Sequence, residues 1–115
     1  MHEYSIISAL LERVQREVES RPGAVARKLH VRIGELAGVE LDLLRTAFTT
    51  FRERSACAEA ELELVHVPAV WRCSRCDQPI AAGAVLRCPS CDRPARLASG
   101  DDIILERIEM EVPDV

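Results

Sequence analysis

Tyr4, Phe48, Phe51 and Trp71 are the only aromatic residues in this chain of 115. Any hydrophobic core must therefore be aliphatic. The chain also lacks the run of stacking side chains on which single-stranded nucleic acid is held. A net charge of −4 argues in the same direction, against a general nucleic-acid binder. No apolar stretch approaches the roughly 20 residues needed to span a bilayer, so no membrane partner is expected. No signal peptide is expected, and the cysteine pattern suits a reducing cytoplasm as the compartment. Internal repeats and low-complexity tracts are missing as well. No Ser/His/Asp set, phosphate-binding loop or pair of catalytic carboxylates stands out, so the chain does not read as an enzyme.

What is present is metal-binding chemistry at two places. Four of the five cysteines form two knuckles, Cys73-x-x-Cys76 and Cys88-x-x-Cys91, separated by eleven residues. Each CxxC turn points two thiolates at one position, and two such turns complete a tetrahedron, the arrangement of structural zinc sites. Pro89 within the second knuckle, and Pro79 and Pro94 after the two knuckles, stiffen the turns. Four thiolates leave no open coordination position, which speaks against catalytic zinc. Disulfides are the first alternative; the odd cysteine count and the spacing oppose them. Iron in a rubredoxin-like site is the second, opposed by the scarcity of aromatics around the knuckles. Cys57 stands apart and reads as a small buried hydrophobe.

The other place is the start of the chain, Met1-His2-Glu3. A residue as large as histidine after the initiator blocks removal of the methionine, so the Met1 amine is expected to persist. That amine, the His2 amide and the His2 imidazole are three nitrogens in one short stretch. Amine and amide close a five-membered chelate ring on a metal; amide and imidazole Nδ1 close a six-membered one. The Glu3 amide or carboxylate fills the remaining position. Nitrogen ligands in a square-planar or tetragonal set favour Ni(II) or Cu(II), and binding must release protons. The alternative is a frayed terminus with no ligand role.

Periodicity predicts the elements. Residues 4–20 place Tyr4, Ile7, Leu11, Val14 and Val18 at helical spacing, and Arg21-Pro22-Gly23 ends that helix. Residues 25–36 alternate, with Leu29, Val31 and Ile33 on one side and Lys28, His30 and Arg32 on the other, a strand with one wet face. Gly34 and Gly38 bracket a turn. Residues 40–54 carry Leu41, Leu44, Phe48 and Phe51 as a second amphipathic helix, and residues 60–68 alternate again. The cysteine block follows. Residues 102–112 form a last strand in which Ile104, Ile108, Met110 and Val112 face one way.

A lone terminal strand needs a sheet to join. The expected architecture is therefore α+β: two helices on a three-stranded sheet, with a four-cysteine zinc-binding lobe inserted before the last strand. The expected domains are 1–68 plus 101–115, carrying the open metal site, and 69–100, carrying zinc. Among other polar residues, Glu40 opens the second helix, where an acid complements the helix dipole. His30 reads as a surface or satisfied histidine. His66 shares its parity with Leu62 and Leu64 and is expected to be partly buried. Arg72, Arg75, Arg87, Arg93 and Arg96 either offset the thiolate charge or form a face for an acidic partner.

The chain also resembles a known family. MHEYSI at the start, VRIGELAGVE, the CxxC pair with CPSC, and SGDDIILERIEMEV near the end are similar, in this order, to the HypA/HybF hydrogenase nickel-incorporation proteins. The resemblance implies a nickel metallochaperone in [NiFe]-hydrogenase maturation. It implies a HypB-like accessory GTPase and the hydrogenase large subunit as partners. Monomer and homodimer both remain open. It implies His2 as the essential nickel ligand, beside the Met1 amine read from the terminus itself, with support from Glu3 and Glu40, and structural zinc on Cys73, Cys76, Cys88 and Cys91. The family often has glycine after each knuckle, whereas Asp77 and Asp92 stand here, and RSACAEA replaces a Gly-Thr turn after the second helix. A zinc-ribbon interaction or nucleic-acid module, with MHE incidental, is the competing reading.

Overall fold

The computed structural model describes residues 2–81 and 86–113, the side chain of His2 excepted. The first helix, α1, spans His2–Glu19 and starts two residues before the predicted helix. Its buried face is carried by Ile7 and Val14 at a spacing of two turns, while Tyr4 is exposed. The backbone then turns at Gly23, which has positive φ, into strand β1, Val25–Gly34. Helix α2 spans Leu41–Phe51 and tightens into a 3-10 turn over Arg52–Arg54. Leu44, Ala47 and Phe48 are its buried residues. Phe51, predicted to face the core, is half exposed and meets the Tyr4 ring edge-on at 5.4 Å. It lies one turn beyond Ala47, past the end of the face that the core covers.

Strand β2 spans Glu61–Val67, and the last strand, β6, spans Ile103–Glu111; they flank β1 in a three-stranded sheet. Leu29, Val31 and Ile33 are buried, as the alternation of β1 predicts. Ala26 is also buried, three residues before Leu29, so the in-out pattern slips by one residue between them. A similar slip occurs in β6. Leu105 is half-buried together with Ile108 and Met110, whereas Ile104, expected with the latter two, is exposed; Val112, expected there too, lies past the end of the strand and is exposed. The wet side of β1 is a charge array. His30 has only 12% of its side chain exposed, with Nδ1 against Glu63 and Nε2 against Glu109. That contact holds the Glu109 carboxyl below its usual range. His66 is exposed, against expectation.

The cysteine block, whose only forecast was its metal site, contains three short strands: β3, Val70–Cys73; β4, Pro79–Ile80; and β5, Ala95–Ser99. They form a second sheet in the order β4-β3-β5, antiparallel throughout.

The chain groups into two compact units, Met1–Arg32 with Val39–Val65 and Ile104–Val115, and Ile33–Gly38 with His66–Ile103. The second includes the turn after β1 because that turn is tied to both ends of the cysteine block. Gly34 N–H donates to Asp102 O at 2.8 Å, Leu36 N–H to Gly100 O at 2.7 Å, and Glu35 N–H to Val67 O at 2.7 Å. The Glu35 carboxylate accepts from Ala69 N–H at 2.8 Å. A Cβ on Gly34 would lie 2.3 Å from the carbonyl of Gly100, and one on Gly100 would lie 2.5 Å from Ala69 Cα. Gly100 also has φ of +104°. Gly34→Ala and Gly100→Ala are each expected to destabilise this unit by about 1–3 kcal/mol through backbone overlap. Gly38→Ala, where a Cβ meets nothing within 4 Å, should suffer only its positive φ. Thermal unfolding of the three variants checks the ranking.

Candidate metal centres

The two cysteine knuckles are built alike. Asp77 N–H donates to Cys73 O at 3.1 Å, and Asp92 N–H donates to Cys88 O at 2.8 Å. Cys73 N–H then reaches Gln78 O, and Cys88 N–H reaches Arg93 O, both at 2.9 Å. Each turn closes only because the residue after its second cysteine adopts a left-handed conformation, φ 62° at Asp77 and 52° at Asp92. Aspartate tolerates this region better than most side chains, which is how the chain makes the turn without the expected glycine. Asp77 is further held by Arg96 and Arg72. Asp92→Gly is expected to keep metal content and leave stability unchanged or raise it by up to about 1 kcal/mol. Asp92→Val should cost about 1–2 kcal/mol. Chemical denaturation with metal analysis separates the two.

The knuckles bring four sulfurs together. The Sγ atoms of Cys73, Cys76, Cys88 and Cys91 all lie within 4.8 Å of one another. Cys76 and Cys88 Sγ are 3.7 Å apart, far from a disulfide length. That separation matches the edge, about 3.8 Å, of a tetrahedron with metal–sulfur bonds of about 2.3 Å. Cys73 and Cys88 are buried, Cys91 partly so, and Cys76 is exposed. Backbone N–H groups of Cys76 and Arg75, each 3.4 Å from Cys73 Sγ, hold that thiol down to about 6. Cys91 is pushed up to about 12, chiefly by its hydrogen bond to Cys76 and by burial, with the charge of the neighbouring sulfurs adding to both. Four adjacent thiolates need a cation, and a soft divalent ion of tetrahedral preference fits this donor set. The surrounding core is small: Ile80 with Cys73 and Cys88, against which Trp71, Cys91 and Ala95 pack. Cys57 is fully buried away from the cluster, and burial raises its thiol.

Met1 and the His2 side chain lie outside the described residues, but the backbone around them is informative. α1 begins at His2. The first N–H groups of a helix have no intrahelical acceptor, so a metal that replaces the His2 amide proton breaks no ladder bond. The positive end of the helix dipole also favours the resulting anionic nitrogen. Glu3 differs from the expectation of an exposed end without core contacts. It is 9% exposed, the one buried charged residue among those described. Its Oε2 accepts from Glu40 N–H at 3.2 Å. Glu40 is the N-cap of α2 and makes no side-chain cap of its own, so Glu3 serves that helix end from 37 residues away. Glu40 itself is exposed. The structure thus brings Glu3 and Glu40 together at the start of α1. The buried role of Glu3 was missed because a contact between distant residues leaves no local pattern.

Comparison with known proteins gives the family of the chain. Residues 1–110 match the family described as hydrogenase/urease nickel incorporation, metallochaperone, hypA. A hydrogenase maturation factor HypA from Wolinella succinogenes is 37% identical over 117 residues, covering 99% of this chain and 98% of that protein. One from Shewanella halifaxensis is 35% identical over 113 residues, covering 96% and 98%. A solution structure of a HypA protein superposes with TM-score 0.80 at 27% identity, covering 98% of both chains. The solution structure of the Ni metallochaperone HypA from Helicobacter pylori gives TM-score 0.71 at 26% identity, covering 96% of this chain and 98% of that one.

Proposed function

This chain belongs to the HypA family, and we propose that it carries Ni(II) for the maturation of [NiFe]-hydrogenase while holding structural zinc. Nickel is its cargo, taken by the Met1 amine, the His2 amide and the His2 imidazole. Glu3 supports the set by anchoring the start of α1, and Glu40 stands beside it. The observation that carries this reading is the coincidence of the MHE start with a helix N-terminus that is fixed, through Glu3 and Glu40, to a second helix. A carrier must bind selectively and still let go. Consecutive ligands at a chain end can leave one nitrogen at a time onto an acceptor docked beside them. The four-thiolate site, with Cys73 and Cys88 buried in a small core of their own and no open coordination position, keeps its ion throughout. The acceptors implied are a HypB-like GTPase and the hydrogenase large subunit, in the cytoplasm. No catalytic step is required of the chain.

A transfer assay tests this. Nickel-loaded protein and an acceptor are mixed freely, or kept on opposite sides of a dialysis membrane. Fast transfer on mixing only, with zinc retained, is the expected result. Equal rates across the membrane would make the protein a passive nickel buffer. Glu3→Ala provides a second check. Leaving the Glu40 N–H without this acceptor is expected to cost about 1–3 kcal/mol of stability. Loss of the support should also weaken nickel binding by roughly 10–100-fold, whereas Glu3→Gln, which keeps an acceptor, should recover much of the stability.

A further inference from the structure

β2 is an edge of the three-stranded sheet. Among the described residues, no backbone or side-chain group outside the sheet bonds to the main chain of residues 61–66. Beside this edge runs a groove of about 520 Å³, lined by Arg45, Phe48, Thr49 and Arg52 on the helical side and by Lys28 and residues 61–64 on the strand side. Its wall is fixed. Arg52 donates to Ala60 O at 2.8 Å and lies over the Phe48 ring at 5.7 Å. Arg45 is exposed, and among the described residues no ion pair or hydrogen bond engages its guanidinium. The opposite edge is different. The hollow between α1 and β6, about 270 Å³, has Arg13 and Arg21 on its rim, and Glu17 already pairs with both at 3.5 Å.

We propose that the groove between α2 and the free edge of β2 docks an extended peptide segment of a partner protein, which joins the sheet as a strand and sets an acidic side chain against Arg45. An added strand supplies the main-chain hydrogen bonds that the edge lacks, and pockets for alternate side chains give specificity. Residues of one parity face α2 and its unpaired cation. Those of the other parity lie on the side of Glu61 and Glu63; Glu63 already holds His30, and Glu61, which has no ion pair among the described residues, repels acids there. The segment recognised is therefore acidic on one parity and neutral or basic on the other. The inference is independent of both metal sites.

The test uses the zinc-loaded full chain without nickel, and two end-blocked octapeptides, (Glu-Val)4 and (Lys-Val)4. Binding is followed by fluorescence anisotropy and by amide hydrogen exchange. (Glu-Val)4 is expected to bind and to slow exchange in residues 61–67. (Lys-Val)4 should bind at least tenfold more weakly, and Arg45→Glu should weaken (Glu-Val)4 by a similar factor. Arg45→Lys, which keeps the charge, should retain most of the affinity. No protection of β2, or protection indifferent to Arg45→Glu, overturns the proposal. So does concentration-dependent protection of β2 without peptide, which would give the edge to a second copy of the chain.

Discussion

Replacing any one of Cys73, Cys76, Cys88 or Cys91 by serine is expected to empty the zinc site and unfold β3, β4 and β5 together, while α1, α2 and the sheet they cover stay folded. The reason is the scale of the metal's contribution. Structural zinc sites bind with roughly 10–16 kcal/mol of free energy, which is folding energy where no site preexists. Among the described residues, the core around this cluster consists of little beyond Ile80, Trp71, Ala95 and the cysteines themselves. A segment of this size cannot build enough apolar burial to fold without a staple. Serine is close in size to cysteine, so the loss comes from the missing thiolate and not from a cavity. Cys57→Ala is the control. That thiol is as buried as those of Cys73 and Cys88 but lies outside the cluster, so zinc content should be unchanged. Amide spectra recorded on both variants, with zinc quantified in parallel, decide the matter. Full zinc retention in Cys73→Ser would contradict the assignment.

The second large effect is expected from His2→Ala. Removing the imidazole deletes a ligand and the six-membered chelate ring together. Nickel affinity should fall by well over the roughly 10–100-fold that accompanies loss of a supporting partner. Zinc and fold should be unaffected, because alanine continues a helix that already starts at this residue. Nickel binding by the parent protein should strengthen as pH rises, since the His2 amide and the imidazole must both give up protons. Isothermal titration with nickel at two pH values measures both expectations.

The parts of this architecture that were legible in the sequence are those with short-range signals. The alternation Leu29, Val31, Ile33 marked the central strand, and all three are buried. The two CxxC turns marked a four-sulfur cluster because each places its thiolates within one local loop. What escaped depends on relations that no window contains. The slips between Ala26 and Leu29 and between Leu105 and Ile108 move side chains across the sheet, so Ile104 looked like core and is exposed, while Val112 keeps the parity of Ile108 and Met110 but lies past the end of β6. His66 had the parity of a buried residue near the end of β2 and is exposed for lack of cover. Phe51 was apolar and correctly spaced, but the core stops short of it. Glu3 looked like a solvated acid and is buried, because its partner lies at Glu40. Asp77 and Asp92 looked like a departure from the expected turn and in fact make it, in the left-handed conformation usually given to glycine.

The claim that the chain terminus itself is the nickel site has one direct test. Untagged zinc-loaded protein is titrated with Ni(II) beside the same protein whose Met1 amine has been acetylated. The account predicts one nickel bound per chain in the first and none of comparable affinity in the second, with zinc equal in both. Equal nickel binding by the acetylated protein would contradict it.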